Sequence, residues 1–320
     1  MYAALFPGQG SQSVGMMAEL YAESEVVRET ISEAATILGF DLWKLMQEGP
    51  ENKLNNTLYT QPAMLVAGVA SWRFYASESS IMPSVMAGHS LGEYTALVCS
   101  GALDFNDAVD LVNCRARYMQ NALPDGSGAM AAIIGLKDED ILEACEEVRN
   151  EGVVEAVNFN APGQVVIAGT KTAVEKTIDI AKKKGARRAI LLNVSIPSHC
   201  ELMKPAGIQL KQKLKNINFN QFNIPVINNV DVDLYSDRHS IEDGLTRQIF
   251  SPVRWTDTIR YFISKDIEIS VEFGPGGILS GLCRRIDKSI QTIKLDSVAS
   301  IERFNELVSQ NRTTTEEENE

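Results

Sequence analysis

The chain has 320 residues, 44% of them hydrophobic and 22% charged, a composition typical of soluble globular proteins. Its formal net charge of −12 argues against a nucleic-acid partner, because a phosphate backbone binds basic surfaces. No apolar run reaches the length of a membrane span, and the start of the chain enters a strand pattern directly, which leaves no room for a targeting leader. We therefore expect a cytoplasmic protein that contacts neither nucleic acid nor a membrane.

The first predicted strand covers residues 2–6 and is followed by a Gly-rich loop, Pro7–Gln12. Helices are predicted over 16–38 and 54–75, the second apolar on all sides and therefore buried. The loop lacks the third glycine of a dinucleotide-binding motif and the Gly-Lys-Ser of a P-loop, so it predicts no nucleotide site. Its backbone N–H groups remain available to an anion at the carboxyl end of a strand.

The stretch Ser84–Gly101 contains Gly88-His89-Ser90-Leu91-Gly92 between a short apolar strand and a helical pattern. Gly-x-Ser-x-Gly in that context predicts a nucleophile elbow, a sharp turn that exposes the hydroxyl of Ser90 above the sheet edge. The helix that follows places unbonded N–H groups near this hydroxyl, where they can stabilise an oxyanion. The simpler interpretation is an ordinary strand-to-helix turn with a capping serine.

Residues 104–123 form a predicted helix in which one arginine faces the core. Arg115 lies at spacings of three and four residues from Val112 and Met119, within the apolar stripe of the helix. A buried guanidinium requires an anionic or multiply accepting partner. Two partners stay open: an internal carboxylate, or a carboxylate on a ligand, which the planar fork of arginine binds through two hydrogen bonds.

A second, smaller domain is predicted after the linker-like stretch 125–128. Its six elements have the β-α-β-β-α-β order of a ferredoxin-like domain. The strands are 129–136, 153–159, 164–168 and 189–194, and the helices are 138–151 and 172–184. We predict that residues 126–195 form this domain as an insertion in a large α/β domain of residues 1–125 and 196–309.

The basic run Lys182–Arg188 begins in the last turn of the second predicted helix of the small domain. Cations at a helix C-terminus before a glycine have a purely structural explanation. The alternative is a docking surface for an acidic partner.

The rest of the chain resumes α/β alternation. A strand over 267–273 precedes a second Gly-rich loop, Gly274–Gly277, and residues 310–320 form an acidic tail that we expect to be disordered. The other predicted elements are helices over 203–214 and 246–250, a helix opened by Ser251-Pro252, and a strand over 225–228.

A serine nucleophile needs a base within hydrogen-bond reach, and the sequence offers three histidines. His89 leaves the elbow in a different direction from Ser90, and His239 lies in a polar, solvated loop. His199 remains as the predicted base. No acidic residue between Ser90 and His199 stands out as a third member, so a backbone carbonyl or an amide is expected to orient the ring.

Five scattered cysteines without a C-x-x-C pattern favour reduced thiols over disulfides or a zinc site. Cys200, next to His199, is a weaker candidate for the nucleophile, because neighbours in sequence seldom point to the same place.

At this point the sequence resembles a known family, the malonyl-CoA:acyl-carrier-protein transacylases of fatty acid synthesis, to which polyketide synthase acyltransferase domains are related. The similar motifs run nearly the length of the chain. They are Phe6–Gln12, Thr60–Ala63, Gly88–Tyr94, Arg115, Val157–Gln164, Pro197–His199 and Gln248–Trp255. The resemblance implies an α/β fold, with a hydrolase-like large domain built on a parallel sheet and an inserted ferredoxin-like small domain.

The resemblance also implies roles for residues of this chain. Ser90 would accept a malonyl group and His199 would act as base and then acid, with its ring oriented by the main-chain carbonyl of Gln248. The backbone N–H groups of Gln9 and Leu91 would form the oxyanion hole. Three further roles concern the substrate and the site lining: Arg115 would bind the malonyl carboxylate, Gln61 and Gln248 would contact substrate, and Asn158 and Asn160 would line the site.

The implied substrates are malonyl-CoA, a coenzyme A thioester, and the phosphopantetheine thiol of acyl carrier protein. No cofactor, no metal and a monomeric enzyme are expected. In the related modular polyketide enzymes, the residues before the histidine differ between those that use malonyl groups and those that use methylmalonyl groups. Ile196-Pro197-Ser198 matches neither of these two patterns, so tolerance of an α-methyl branch stays open. Three alternatives remain: a serine hydrolase or thioesterase on the same fold, a polyketide-type acyltransferase, and a catalytically silent module that binds carrier protein.

Overall fold

The computed structural model describes residues 1–194 and 196–317. The strands are β1 (Tyr2–Phe6), β2 (Val85–Gly88), β3 (Gly128–Ile134), β4 (Val154–Ala161), β5 (Gln164–Thr170), β6 (Arg188–Leu191), β7 (Val226–Ile227), β8 (Ile269–Phe273) and β9 (Gln291–Leu295). The α-helices are α1 (Ala18–Glu23), α2 (Glu25–Leu38), α3 (Leu42–Glu48), α4 (Glu51–Leu54), α5 (Thr57–Glu78), α6 (Gly92–Cys99), α7 (Phe105–Gln120), α8 (Asp138–Val148), α9 (Lys171–Lys183), α10 (Lys204–Leu214), α11 (Arg238–Gln248), α12 (Trp255–Ser264), α13 (Ile278–Ile286) and α14 (Val298–Glu317). Within these residues, no helix combines the length and the apolar character needed to cross a membrane.

A five-stranded sheet in the order β7-β2-β1-β8-β9 forms the larger region, and all of its strand pairs are parallel. Both faces of the central strand β1 are covered: Phe6 packs into one apolar cluster and Leu5 into another. Phe6 pairs with Gly88, so β1 and β2 end side by side. Ligand-binding loops of parallel sheets lie at such carboxyl ends, and the loop after β1 therefore meets the elbow after β2.

The second region is a four-stranded antiparallel sheet in the order β4-β5-β3-β6, with α8 and α9 in its connections. This is the predicted ferredoxin-like arrangement, and the α/β fold class is confirmed. The sheet attaches to the larger region through β4, since Phe159 N donates to Val253 O at 3.0 Å and Val253 N to Val157 O at 2.8 Å. All four strands lie between Gly128 and Leu191, within the span predicted for the inserted domain.

Several predicted element bounds are wrong. The helix predicted over 16–38 is interrupted at Ser24, whose extended backbone and side-chain oxygen cap the N-terminus of α2. The helix predicted over 246–250 is the end of α11, which starts eight residues earlier behind an Asp237 capping box. Helices α3, α4 and α14 and strand β9 were not predicted.

The end of the chain also differs from the predicted disordered tail of residues 310–320. Helix α14 continues to Glu317, in a segment that contains neither glycine nor proline to end it. Residues 318–320 of the predicted tail, and Ser195 at the predicted domain boundary, lie outside the described residues.

Candidate active site

Ser90 sits on a sharp turn between β2 and α6 and has a left-handed backbone with φ of 52°. The glycines of the motif are required by packing. A Cβ at Gly88 would overlap the backbone of Gly92, and a Cβ at Gly92 would overlap the carbonyl oxygen of Phe6 at the end of β1. The predicted strand, turn and helix are therefore present, and the turn presents the half-buried Ser90 at the sheet edge.

His199 meets Ser90 although 109 positions separate them in sequence. Its Nε2 lies 2.7 Å from Ser90 Oγ, and its Nδ1 lies 2.7 Å from the main-chain carbonyl oxygen of Gln248. Because a carbonyl only accepts, Nδ1 carries the proton and Nε2 is left to accept from the serine hydroxyl. Burial, followed by the positive charge of Arg115, lowers the pKa of His199 to about 3, so the ring is neutral and can act as a base at physiological pH.

Arg115 lies behind the serine, buried to 1% exposure on α7. Its guanidinium donates to Gln61 Oε1 at 2.5 Å, Gln248 Oε1 at 3.1 Å and Ser90 Oγ at 3.3 Å. These acceptors are neutral, so among the described residues no internal carboxylate is hydrogen-bonded to Arg115, and a carboxylate on a ligand stays the predicted partner. The fork is held in place by amides beside the reacting oxygen, an arrangement suited to receiving an anionic group.

Four buried side chains form what we call the Glu93 cluster: Glu93, Asn229, Tyr235 and Gln248. Glu93 is fully buried, and its carboxylate accepts from Asn229 N and Gln248 Nε2, both at 2.9 Å, and from the hydroxyl of Tyr235. Burial raises the pKa of Glu93 to about 7, although these hydrogen bonds and the Arg115 charge oppose the rise. The cluster joins α6, α11 and the segment after β7 directly beneath the elbow.

Gln9 and Leu91, the predicted oxyanion-hole residues, lie on backbone segments that abut each other. A Cβ at Gly8 would be 2.5 Å from His89 O and 3.7 Å from Leu91 N, so the loop after β1 passes close to the elbow. The side chain of Gln9 accepts from Thr57 Oγ1 at 3.2 Å, and Thr57 in turn accepts from Gln61 Nε2 at 2.9 Å. One hydrogen-bond chain thus connects this loop to the partners of Arg115.

The cleft above Ser90 lies between the two sheets. Asn158, on β4, lines this cleft and its buried Oδ1 has no hydrogen-bond partner among the described residues. Oδ1 of Asn160, also on β4, lies 2.8 Å from Nε2 of His89, and His89 itself lines the cleft next to Ser90. Neither asparagine lies in the hairpin turn, which is Pro162-Gly163. The remaining walls of the cleft come from Gln9, Asn55, Thr57, Met130, Val166, Leu192, Val194, Ile196, Ser198 and His199.

The weaker candidates lie elsewhere or are unreactive. His239 is exposed at the start of α11. The thiol of Cys200 is fully buried, and burial raises its pKa to about 12, so it is not a thiolate nucleophile. All five cysteines are unpaired. In the part of the chain that the structure describes, no His, Cys, Asp and Glu side chains are grouped to hold a metal ion.

Sequence reasoning missed Asn229, Glu93 and Tyr235 as parts of the site. Two signals were present. An asparagine pair, Asn228-Asn229, directly follows a short apolar strand, where parallel sheets place functional groups. A single carboxylate, Glu93, lies in an otherwise apolar helix pattern, and such a residue needs buried partners.

A serine at a strand-to-helix elbow, paired with a neutral histidine, is the geometry of enzymes that form an acyl-serine. Residues 4–311 match the acyl transferase domain family. Over 300 residues the chain is 50% identical to the malonyl CoA-acyl carrier protein transacylase of Salmonella typhimurium, covering 94% of this chain and 97% of that protein.

Solved structures of malonyltransferases are also similar to this chain. An acyl carrier protein S-malonyltransferase from Vibrio cholerae superimposes with a TM-score of 0.92 at 50% identity, covering 95% of this chain and 99% of that one. A malonyl-transacylase in complex with its type II PKS acyl-carrier protein gives a TM-score of 0.92 at 49% identity, covering 94% and 97%. The chain belongs to the acyl transferase family, in its malonyl-CoA:acyl-carrier-protein transacylase group, as the motifs predicted.

Proposed function

We propose that the chain transfers the malonyl group of malonyl-CoA to the phosphopantetheine thiol of acyl carrier protein, for fatty acid synthesis, through a malonyl-serine at Ser90. The observation that carries this proposal is that Ser90 Oγ lies 2.7 Å from the unprotonated nitrogen of His199 and 3.3 Å from the Arg115 guanidinium. A nucleophile, its base and a cation for the far carboxylate therefore meet at one oxygen.

The two half-reactions use the same groups in opposite order. Ser90 Oγ bonds to the thioester carbonyl carbon while its proton passes to His199 Nε2, and the backbone N–H groups of Gln9 and Leu91 stabilise the oxyanion. The carbon–sulfur bond then breaks, and His199 protonates the departing thiolate of coenzyme A. The carrier thiol gives its proton to His199 and its sulfur bonds to the malonyl carbonyl carbon. The bond from that carbon to Ser90 Oγ then breaks, and His199 returns the proton to Ser90.

Arg115 supplies selectivity in this scheme. The malonyl carboxylate replaces the amide acceptors Gln61 and Gln248, fully or in part, and forms a charge-assisted pair with the guanidinium. A neutral acyl group leaves the buried cation with the amides alone, so it gains no such pair. Asn158, whose Oδ1 has no partner among residues 1–194 and 196–317, accepts a hydrogen bond from the thioester arm in this scheme.

We also propose that the enzyme is a monomer that needs no cofactor and works in the cytoplasm. All the groups of the site come from one chain, and a serine and a histidine supply both nucleophile and base. The five unpaired cysteines fit a reducing compartment.

Intact-mass analysis after mixing with malonyl-CoA tests the proposal. We expect one added malonyl group, located on the peptide that contains Ser90 and removed when carrier protein is supplied. In the same measurement Arg115→Ala should gain the malonyl group more slowly. Arg117→Ala is the matched control for that variant, because Arg117 lies on the same helix as Arg115 but is exposed. It should label like the unaltered protein.

Other outcomes identify the alternatives. A malonyl-serine that decays equally fast with and without carrier protein indicates a thioesterase. Absence of any acyl-serine indicates a silent module that binds carrier protein.

A further inference from the structure

The elbow holds Ser90 in a backbone conformation that L-residues rarely adopt, with φ of 52°. Contacts around the turn must therefore stabilise it, because a strained residue persists only where its surroundings fix it. The reacting oxygen is directly affected, since rotation of this backbone carries Oγ away from His199 Nε2.

One side chain spans the turn. Asn229, fully buried after β7, donates from Nδ2 to Gly88 O at 2.7 Å and accepts at Oδ1 from Ser90 N at 2.7 Å. These two backbone groups lie on either side of His89, at the entry to the turn and at its strained residue. The turn presents one acceptor, Gly88 O, and one donor, Ser90 N–H. The side-chain amide of asparagine supplies the matching donor and acceptor in one planar group.

Asn229 is itself fixed by the Glu93 cluster. Its backbone N–H donates to Glu93 Oε2 at 2.9 Å, and the same oxygen accepts from Gln248 Nε2 at 2.9 Å. Gln248 Nε2 also donates to Ser90 O at 2.9 Å. The N–H and the C=O of the nucleophile are thus bonded to the side chains of Asn229 and Gln248, and these two residues both donate to one carboxylate oxygen, Asn229 from its main chain and Gln248 from its side chain.

We propose that Asn229 is a positioning residue that clamps the elbow so that Ser90 Oγ stays aligned with His199, and that Glu93 holds this clamp in register. Neither residue touches the substrate in this scheme. The inference rests on the proposed role of Ser90 as the nucleophile.

The test compares Asn229→Ala with a matched control, Asn228→Ala. Asn228 is also a buried amide with two side-chain hydrogen bonds, to Asp233 O at 2.8 Å and from Asp231 N at 2.6 Å, but within the described residues it has no hydrogen bond to Gly88–Gly92. Three quantities are measured in full-length protein: the single-turnover rate of Ser90 malonylation, the KM for malonyl-CoA, and the rate of reaction with phenylmethylsulfonyl fluoride. The last probe carries no carboxylate and does not need Arg115.

We expect Asn229→Ala to lower the malonylation rate and the sulfonylation rate together, by about 100-fold, as for a misplaced catalytic group. KM should change less than about threefold, and Asn228→Ala should keep both rates within about threefold of the parent. Equal rates in the two variants, or a raised KM with an unchanged rate, would overturn the clamp.

Asn229→Asp decides the matter if Asn229→Ala does not fold. It keeps an acceptor for Ser90 N but cannot donate to Gly88 O, so both rates should fall about tenfold; unchanged rates contradict the inference. If the unaltered protein shows no malonyl group on Ser90, the proposed function fails instead, and the two failures are distinguishable.

Discussion

The parallel-sheet region and the antiparallel-sheet region contribute to the same cleft in different ways. The parallel-sheet region supplies Ser90, Arg115, Gln61 and Gln248, and the last three are buried to 1% exposure or less. The antiparallel-sheet region supplies rim side chains such as the exposed Leu192 and Val194, which hold no charge.

This difference separates chemistry from recognition. Charged groups that act on the reacting atoms are effective where water is excluded and where fixed partners hold them in place. Groups on the rim remain solvated, so they act on the thioester arm and on a macromolecular partner with small individual energies. Variants in the first region should therefore change the rate of acyl transfer, and variants in the second should change the KM for the acceptor.

The largest expected effect is that of Ser90→Ala. Without the hydroxyl there is no acyl-serine, and we expect malonyl transfer to fall by at least about 10⁴-fold. Malonylation in a single turnover measures it. His199→Ala should fall to a similar level, because the two residues act as one unit. Residual labelling of Ser90→Ala at another residue would move the chemistry out of the elbow.

Arg115→Ala should have the next largest effect, and it should depend on the acyl group. Loss of a charge-assisted pair costs roughly 3 kcal/mol, so malonyl transfer should fall about 100-fold while acetyl transfer changes little. Rates with malonyl-CoA and acetyl-CoA are compared in the same preparation.

Two further variants control for the Arg115 result. Arg117→Ala, on the same helix but exposed, should leave both rates unchanged. Arg115→Lys keeps a charge without the planar fork and should lose less than Arg115→Ala. An equal fall with malonyl-CoA and acetyl-CoA would contradict the role of the guanidinium in binding carboxylate.

The parts of this site that could be predicted from sequence are those encoded locally. The elbow lies within Gly88–Gly92, and the inward direction of Arg115 follows from helical periodicity, since both depend on residues that are near in sequence. Ferredoxin-like order was predictable for the same reason, because its six elements follow one another. His199 could be predicted as the base only because the chain has three histidines and the other two were less suitable.

Groups assembled by the sheet could not be predicted. Asn229 bonds to Ser90 across 139 positions and to Glu93 across 136, and they meet because β7 pairs with β2. Strand order of this kind is a property of the tertiary fold, so the predicted strand over 225–228, which contains β7, did not show that it pairs with β2. The break at Ser24 was missed because the apolar periodicity continues through it, while a local capping bond decides the backbone.

The pH dependence of acylation tests how far burial controls the base. The pKa of His199 is lowered to about 3 by burial and then by Arg115, so its folded-state value lies below the usual 6.5 and the ring stays neutral as pH falls. A histidine at 6.5 would lose about tenfold of its base form at pH 5.5. We expect the single-turnover rate to change less than about threefold between pH 8 and 5.5.

A control variant distinguishes the titration of His199 from that of Glu93, a second group that titrates between pH 8 and 5.5. Glu93, with its pKa raised to about 7, gains a proton over this interval, and Glu93→Gln removes that event. A slope that disappears in Glu93→Gln belongs to the carboxyl group. A tenfold loss of rate that persists in Glu93→Gln would show that His199 titrates near the usual pKa of 6.5. That result would contradict the lowering of its pKa by burial and Arg115.

The smallest effect concerns the basic surface of the antiparallel-sheet region. Residues of the run Lys182–Arg188 differ in their surroundings. Lys184 forms ion pairs with Glu143 at 2.9 Å and Glu147 at 3.0 Å. Arg187 is exposed and lines a surface pocket. The same pocket contains the exposed Arg284, Arg285 and Lys288 of the other region. This concentration of positive charge, on a chain of net charge −12, suits an acidic partner.

Neutralising Arg187, Arg284 and Lys288 together should therefore raise the KM for carrier protein several-fold and flatten its salt dependence, because exposed charge pairs are individually weak. The first half-reaction with malonyl-CoA should stay unchanged. Neutralising Lys182 and Lys183, at the solvated end of α9, is the matched control and should leave the KM unchanged. If the two sets behave alike, the surface around Arg187 is a solvated face and the partner docks elsewhere along the cleft.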